Sequence, residues 1–247
     1  MHRILASYRK QTSCQDERLP MITTVIFDLD DTLYNEVDYC RSGFASVAEH
    51  LASRTGTASA GSIFQALWQQ FSAGNRTRTF DAALELLGIP CNDDLIRELV
   101  KVYREHWPNI ALPADSRDVL EQLAAKYTLG LLTDGFLPAQ KLKVKALRIE
   151  RYFKSIIYTE ELGRDYWKPS PVGFEKMLQA LKAPAQQAVY VADNEEKDFF
   201  APNGLNMPTI QVMRPARIHT GTTSEPAGKA KYTISRIAEL PLLLERL

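Results

Sequence analysis

Five short segments of the chain are rich in aliphatic and β-branched residues and show little alternation of apolar and polar positions. Strands that are covered on both faces have this pattern, so each segment is predicted to be a buried strand. The segments are residues 23–29, 127–133, 155–159, 188–192 and 209–213. Amphipathic helical patterns lie between the later segments, over residues 115–126 and after Ser170 and Pro171, which are predicted to supply the N-cap and first turn. The alternation predicts an α/β fold with a parallel sheet.

Residues 38–112 break this alternation, because they contain helical periodicity and no convincing strand. Apolar residues recur there at three- and four-residue intervals in four stretches, residues 44–51, 63–71, 80–87 and 95–103. We interpret residues 38–112 as an inserted α-helical cap domain, and residues 21–37 and 113–247 as the α/β core. Residues 1–20 are expected to be a disordered leader. A short edge strand and a closing helix are predicted over residues 232–247, after a loop at 216–231.

The charge balance disfavours partners that are bound through net charge, although it leaves a local basic patch open. Thirty basic residues offset thirty acidic ones, so no net field attracts nucleic acid or an anionic membrane. No apolar run approaches the roughly 20 residues that span a bilayer, and the first 20 residues have no signal-peptide core. The three cysteines and four histidines show no disulfide or metal-ligand spacing. We therefore expect a cytoplasmic protein with no nucleic-acid or membrane partner, whose oligomeric state the sequence does not indicate.

Acidic residues directly follow the first predicted strand, in the order Asp28-Leu29-Asp30-Asp31-Thr32. In an open α/β sheet the ligand crevice lies beyond the carboxyl ends of the strands, so these carboxylates are predicted to face it. A divalent cation would offset their mutual repulsion, and oxygen ligands suit Mg²⁺. Taken alone, the segment is equally compatible with a solvated acidic turn.

Three later segments fit the same crevice. Thr133 and Asp134 end the second strand before Gly135, and this segment is suited to binding phosphate oxygens. Lys168 precedes a predicted helix, where its charge can offset a nucleophile and a phosphoryl group. Another strand ends at Asp193, and Asp198 follows it.

In this order, the motifs resemble those of haloacid dehalogenase-like (HAD) superfamily phosphatases, from about residue 21 to the C-terminus. The Asp28-x-Asp30-x-Thr32 segment matches the first family motif, Thr133 the second and Lys168 the third. The fourth is matched by Asp193 with Asp198. The resemblance implies a Rossmann-like core with an α-helical cap after the first motif. Ala192 departs from the glycine that many members have before the acidic residue.

The resemblance also implies roles for these residues. Asp28 would attack phosphorus and form an aspartyl phosphate, while Asp30 would protonate the leaving alcohol and then activate water. Mg²⁺ would be held by Asp28, the Asp30 main-chain carbonyl and Asp193. Asp198 would support the site through water or a hydrogen bond to Lys168, with direct ligation as the alternative. Asp31 and Asp134 are expected to be solvated or to cap helices.

These roles predict a Mg²⁺-dependent phosphatase that acts on a small phosphorylated metabolite, such as a sugar phosphate or a nucleoside monophosphate. Asp30 favours phosphoryl transfer over dehalogenation, because the dehalogenases lack a carboxylate at this position. A phosphomutase is the nearest alternative. A phosphoaspartate receiver domain is disfavoured by the helical insertion, and a catalytically silent binding protein is disfavoured by the complete motif set.

Several weaker signals surround these motifs. Cys91 and Arg97 have the spacing of thiol phosphatases, but the two aspartates between them oppose a thiolate and a phosphate cradle, so a helix capped by Asn92 is predicted. Arginines of the insertion are alternatively substrate contacts or surface charges: Arg41, Arg76 and Arg78. Residues beside the motifs are candidate pocket residues: Tyr34, Asn35, Phe136, Tyr166 and Trp167. Three aromatic residues are predicted to form the core of the insertion: Phe64, Trp68 and Phe71.

Overall fold

The computed structural model describes residues 21–56 and 58–247, so the leader predicted for residues 1–20 lies outside the described residues. The centre of the fold is a six-stranded sheet with strand order β3-β2-β1-β4-β5-β6. Every neighbouring pair is parallel. The strands are β1 (Thr24–Phe27), β2 (Thr128–Thr133), β3 (Ser155–Tyr158), β4 (Ala188–Ala192), β5 (Thr209–Val212) and β6 (Tyr232–Ile234).

The predicted parallel α/β fold is confirmed, and the five predicted strands lie within one or two residues of their observed limits. All residues of β1 and β4 are buried, which explains why their sequences show no alternation. β1 ends at Phe27, and Asp28 and Leu29 therefore lie in the loop that follows it. The edge strand predicted near residue 232 is β6.

Helices cover the sheet and alternate with its later strands. They are α5 (Ala114–Ala124), α6 (Ala139–Leu147), α7 (Val172–Leu181), α8 (Phe200–Gly204) and α9 (Leu240–Leu244). The N-cap prediction for α7 is wrong by one residue: Pro171 occupies the N-cap, and the Ser170 hydroxyl accepts a 3.4 Å hydrogen bond from the Val172 amide. Pro171 cannot donate a backbone hydrogen bond, so its position at the helix start costs nothing.

Four helices lie between β1 and α5, where the sequence predicts helices and no strand. They are α1 (Glu36–Thr55), α2 (Ala60–Ser72), α3 (Thr79–Leu86) and α4 (Asp93–Glu105). Their apolar faces meet in a cluster of buried residues that is distinct from the two clusters beside the sheet. The Asn92 side chain accepts a 2.8 Å hydrogen bond from the Leu95 amide, so the predicted cap of α4 is confirmed. The domain limits at residues 38 and 112 remain a prediction.

In the described part of the chain, no helix is both long and apolar enough to cross a membrane.

Candidate active site

The carboxyl ends of β1, β2 and β4 bring the predicted motif residues together. Asp28 follows β1, Thr133 is the last residue of β2, and Asp193 follows β4. Because β1 lies between β2 and β4 in a parallel sheet, the three positions meet at one edge. Lys168 enters the same site from the segment before α7.

Lys168 forms two buried ion pairs. Its Nζ lies 2.7 Å from Asp28 Oδ1 and 2.8 Å from Asp198 Oδ1, and its side chain is only 1% exposed. The ammonium also donates a 3.1 Å hydrogen bond to the Tyr190 hydroxyl. This geometry agrees with the predicted support of the site by Asp198 through Lys168. Asp198 Oδ2 is already engaged, because it accepts a 3.0 Å hydrogen bond from the Asn194 amide.

Burial and charge act in opposite directions on these groups. Burial raises the pKa of Asp28 to about 6, although Lys168 opposes the shift. Burial also disfavours the Asp198 carboxylate, but Lys168 and Lys197 outweigh it and lower the pKa of Asp198. The pKa of Lys168 is raised well above its ordinary value, because Asp198 and Asp28 outweigh its desolvation. Lys168 is therefore a fixed cation beside Asp28.

Three carboxylates form a buried cluster with the composition of a cation site. One oxygen from each of Asp28, Asp193 and Asp198 lies within 4.8 Å of the others. Asp193 Oδ2 is buried and has no hydrogen-bond partner among the described residues. Burial, followed by the charges of Asp198 and Asp28, raises the pKa of Asp193 to about 9. Divalent cations such as Mg²⁺ bind clustered carboxylate oxygens, and the unpartnered Asp193 oxygen is available for such a bond. The three residues therefore fit a divalent cation.

Asp30 lies in a second polar network that the sequence did not reveal. Lys143 Nζ lies 2.8 Å from Asp30 Oδ1, and Gln140 Nε2 donates a 2.8 Å hydrogen bond to Oδ2. The Tyr34 hydroxyl donates to Oδ1 as well. Burial opposes ionisation of Asp30, but Lys143 and these hydrogen bonds outweigh it and lower its pKa. In this arrangement Asp30 is a carboxylate at neutral pH.

Gln140 links this network to Thr133. Its amide donates to Thr133 Oγ1 at 2.7 Å as well as to Asp30, and both Gln140 and Lys143 are buried. The two residues are three positions apart in α6, so they lie on the same face of the helix. That spacing was the available signal, but a glutamine and a lysine in a helix ordinarily indicate a solvated surface.

From the sequence, Asp31 and Asp134 are expected to be solvated or to cap helices; neither is solvated, and Asp31 follows the helix-capping alternative. Asp31 is 1% exposed; its Oδ1 accepts from the Glu36 amide at 2.8 Å and its Oδ2 from the Ile218 amide at 2.6 Å. The first contact supports the start of α1, and the second fixes a distant loop over the site. Asp134 accepts from Thr159 Oγ1 at 2.7 Å and from the Lys168 amide at 3.2 Å. Its carboxylate is thus occupied by protein donors.

Two neighbouring cavities open at this edge of the sheet. The smaller, of about 270 Å³, is lined by Asp28, Lys168 and Asp193 together with other polar residues. The larger, of about 430 Å³, extends between α6 and the inserted helices and has many aromatic residues in its wall. The cavities share five lining residues: Asp30, Glu36, Asp134, Gly135 and His219. The volume of the larger cavity suits a small organic molecule.

Several candidate pocket residues line these cavities and others do not. Phe136 and Arg76 line the larger cavity, and Trp167 lines the smaller one. Phe71, predicted to lie in the core of the insertion, belongs to that core and also reaches the wall of the larger cavity. The remaining candidates are absent from both walls: Tyr34, Asn35, Tyr166, Arg41 and Arg78. Phe64 stacks on Trp68 within the insertion, as predicted for its core. His219 lines both cavities although no sequence motif marks it.

Comparison with known proteins identifies the family. The family model described as haloacid dehalogenase-like hydrolase matches residues 25–212, which include every motif residue described above. The chain belongs to this hydrolase family. Its resemblance to the superfamily, inferred from the motifs, is thereby confirmed.

Curated relatives align with most of the chain. A glyceraldehyde 3-phosphate phosphatase of Methanopyrus kandleri is 28% identical over 204 residues, which cover 78% of this chain and 85% of that relative. A ribulose-1,5-bisphosphate 5-phosphatase of Halopiger xanaduensis is 26% identical over 237 residues, covering 89% of this chain and 98% of the relative.

A solved 2-haloacid dehalogenase of Pseudomonas syringae pv. Tomato DC3000 superposes with a TM-score of 0.63 at 24% sequence identity. The match covers 92% of this chain and 99% of that one. This likeness supports the fold.

Proposed function

We propose that the protein is a Mg²⁺-dependent phosphatase that hydrolyses a small phosphorylated metabolite through an aspartyl phosphate on Asp28. The observation that carries the proposal is the buried contact of Asp28 with Lys168, at 2.7 Å, beside the unpartnered oxygen of Asp193. A carboxylate held next to a fixed cation at a strand end is suited to attack a phosphoryl group. Curated relatives that are named phosphatases of small metabolites support the same reaction class.

Asp28, the main-chain carbonyl of Asp30 and Asp193 would hold the Mg²⁺ ion, with Asp198 supporting the site through Lys168. Bound there, Mg²⁺ supplies charge neutralisation between the nucleophile and the phosphoryl oxygens. Lys168 adds a second positive charge, which contacts Asp28 and Asp198. The Thr133 hydroxyl and the backbone from Asp134 to Gly135 are suited to bind the phosphoryl oxygens. The Asp134 carboxylate is already engaged, because it accepts hydrogen bonds from Thr159 and from the Lys168 amide.

Asp30 is the proposed acid and base for the leaving group and the attacking water. Its carboxylate form is suited to activate water in the second step, when the aspartyl phosphate is hydrolysed. To protonate an alcohol in the first step, Asp30 must first carry a proton, and the Lys143 ion pair disfavours that form. We therefore propose that substrate entry weakens the contact between Asp30 and Lys143.

The test is release of inorganic phosphate from para-nitrophenyl phosphate with and without Mg²⁺. We expect Mg²⁺-dependent release by the wild type and loss of at least about 10³-fold in Asp28→Asn, because the nucleophile is removed. Asp118→Asn is the matched control, since the Asp118 side chain is 73% exposed on α5. Full activity in Asp28→Asn would overturn the proposal. A phosphomutase would instead return the phosphoryl group to a bound sugar phosphate and release little inorganic phosphate.

A further inference from the structure

The larger cavity contains a cation whose hydrogen-bonding capacity is unused. Arg104 lies near the end of α4, lines this cavity and is partly buried. Within residues 21–56 and 58–247, its guanidinium has neither an ion-pair partner nor a hydrogen-bond acceptor. A guanidinium carries five N–H donors, so a partly buried one without acceptors leaves a strong binding capacity unfilled.

The surroundings of Arg104 favour the binding of an anion beside its guanidinium. Its guanidinium lies 3.4 Å from the centre of the Phe136 ring, and the guanidinium of Arg164 lies 4.4 Å from the same centre. Burial, followed by the charge of Arg164, lowers the pKa of Arg104. Two like charges on one aromatic ring repel each other, and an anion that contacts both offsets that repulsion.

Among the described residues, no carboxylate forms an ion pair with Arg104. Arg164 lies 3.7 Å from Glu160, and the charge of Glu160 also acts on Arg104, but only at a distance too long for an ion pair. The carboxylates in the cavity wall are each close to another cation. Asp30 contacts Lys143 at 2.8 Å, Asp81 lies 3.6 Å from Arg78, and Asp134 lies 3.5 Å from Lys197. Glu36 lies 3.8 Å from Lys143.

The position of Arg104 also suits recognition of the substrate. Asp30 and Gly135 line the cavity of Arg104 as well as the cavity of Asp28. A molecule whose phosphoryl group lies at Asp28 can therefore extend past Asp30 into the larger cavity. The wall beside Arg104 includes the aromatic rings of Phe136 and Tyr103, and an apolar surface of this kind strengthens a charged contact next to it.

We propose that Arg104 is a specificity residue that binds a second anionic group of the substrate, a carboxylate or a second phosphate, remote from the phosphoryl group that is cleaved. This inference rests on the proposed phosphatase function and narrows its substrate class to metabolites with two anionic ends. Arg104 touches the substrate but takes no part in bond cleavage. Its fork of donors favours a bidentate contact with a planar carboxylate or with two phosphate oxygens.

The test compares matched substrates that differ in one anionic group. One pair is 3-phosphoglycerate and glycerol 3-phosphate, which tests a carboxylate. The other is ribose 1,5-bisphosphate and ribose 5-phosphate, which tests a second phosphate. For each pair the readout is a ratio: kcat/KM for the compound with the additional anionic group, divided by kcat/KM for the compound without it. A compound that is not hydrolysed is scored by its competitive inhibition of para-nitrophenyl phosphate hydrolysis.

We expect the wild type to prefer the compound with the extra anion in at least one pair, and Arg104→Met to reduce that preference by about 10- to 100-fold. Arg104→Lys should recover only part of it, because lysine keeps the charge and loses the fork. Arg97→Met is the matched control on α4, since Arg97 is 71% exposed and does not line the larger cavity. The control should retain the wild-type ratio.

Two results would overturn the inference. The first is an unchanged ratio in Arg104→Met for both pairs. The second is an equal loss of kcat/KM on all substrates, because that result would make Arg104 a packing contact between α4 and Phe136. Either result leaves the proposed phosphatase function intact if para-nitrophenyl phosphate is still hydrolysed by the wild type. Absence of that hydrolysis would refute the phosphatase function itself.

Discussion

Replacing Lys168 with methionine should destabilise the protein strongly, because two buried carboxylates lose their cationic partner. The ammonium lies 2.7 Å from Asp28 and 2.8 Å from Asp198, and all three side chains are nearly inaccessible to water. At an effective dielectric constant of about 20, opposite charges at 2.7 Å attract by about 6 kcal/mol before desolvation is subtracted. Methionine keeps most of the side-chain volume, so the change is mainly one of charge.

The expected net cost is about 3–5 kcal/mol, the range found when one partner of a buried ion pair is removed. For a chain of 247 residues, this corresponds to a fall in Tm of about 6–10 °C. The cost should depend on pH. Without Lys168, the folded-state pKa values of Asp28 and Asp198 rise above their unfolded values. Stability is then lost as pH increases between the unfolded and folded values, so the deficit is larger at pH 8 than at pH 5.

Thermal or urea denaturation in EDTA at pH 5 and pH 8 measures this effect. Lys176→Met, an exposed position on α7, is the matched control. Lys168→Met with Asp198→Asn should recover part of the lost free energy of unfolding, because one stranded charge is removed, but it should not recover activity. A loss below about 1 kcal/mol at pH 8, or the same loss at both pH values, would refute the charge argument.

Three further predictions follow from the site. Mg²⁺ should raise the Tm of the wild type more at pH 8 than at pH 6, because Asp193, with a pKa of about 9, must lose its proton to bind a cation. Asp193→Asn should abolish that shift in a thermal denaturation assay, and a preserved shift would contradict the metal assignment. Lys143→Met should move the acidic limb of the kcat/KM profile upward by about 1–3 pH units, because removal of the cation raises the pKa of Asp30 in the free enzyme. An unchanged limb would show that Asp30 is not the group that titrates there. Arg214→Met should lower Tm by about 5–10 °C, because the backbone carbonyls of Thr32 and Leu33 lose the hydrogen-bond donor that Arg214 supplies. Calorimetry measures the change, with the exposed-site variant Arg117→Met as the control. Equal Tm values for the two variants would contradict the prediction.

The strands and the motif residues could be predicted because their signals are local. An unbroken apolar run followed directly by a carboxylate marks the end of a buried parallel strand, as in β1 before Asp28 and β4 before Asp193. The parallel order of the sheet then places these ends side by side. Only the sequence between them had to be recognised as helices and connections.

The network around Asp30 could not be predicted in the same way. Lys141 and Lys143 are two positions apart in α6, yet the side chain of Lys141 is 45% exposed and that of Lys143 only 4%. Their local sequence does not show which of the two is buried, because that depends on how α6 packs against the loop after β1. The Asp31 contact with Ile218 likewise joins residues 187 positions apart. Such long-range polar contacts are set by the tertiary fold and carry no periodic signal.

The central claim is that Asp28 becomes phosphorylated during turnover. Acid-quenched reactions with para-nitrophenyl phosphate, digested and analysed by mass spectrometry, test it most directly. We predict that a peptide containing Asp28 gains the mass of one phosphoryl group within the first turnover. Borohydride reduction should then convert Asp28 itself to homoserine. Phosphate release at the wild-type rate without any modified Asp28 peptide, or with the phosphoryl group on another residue, would contradict the account.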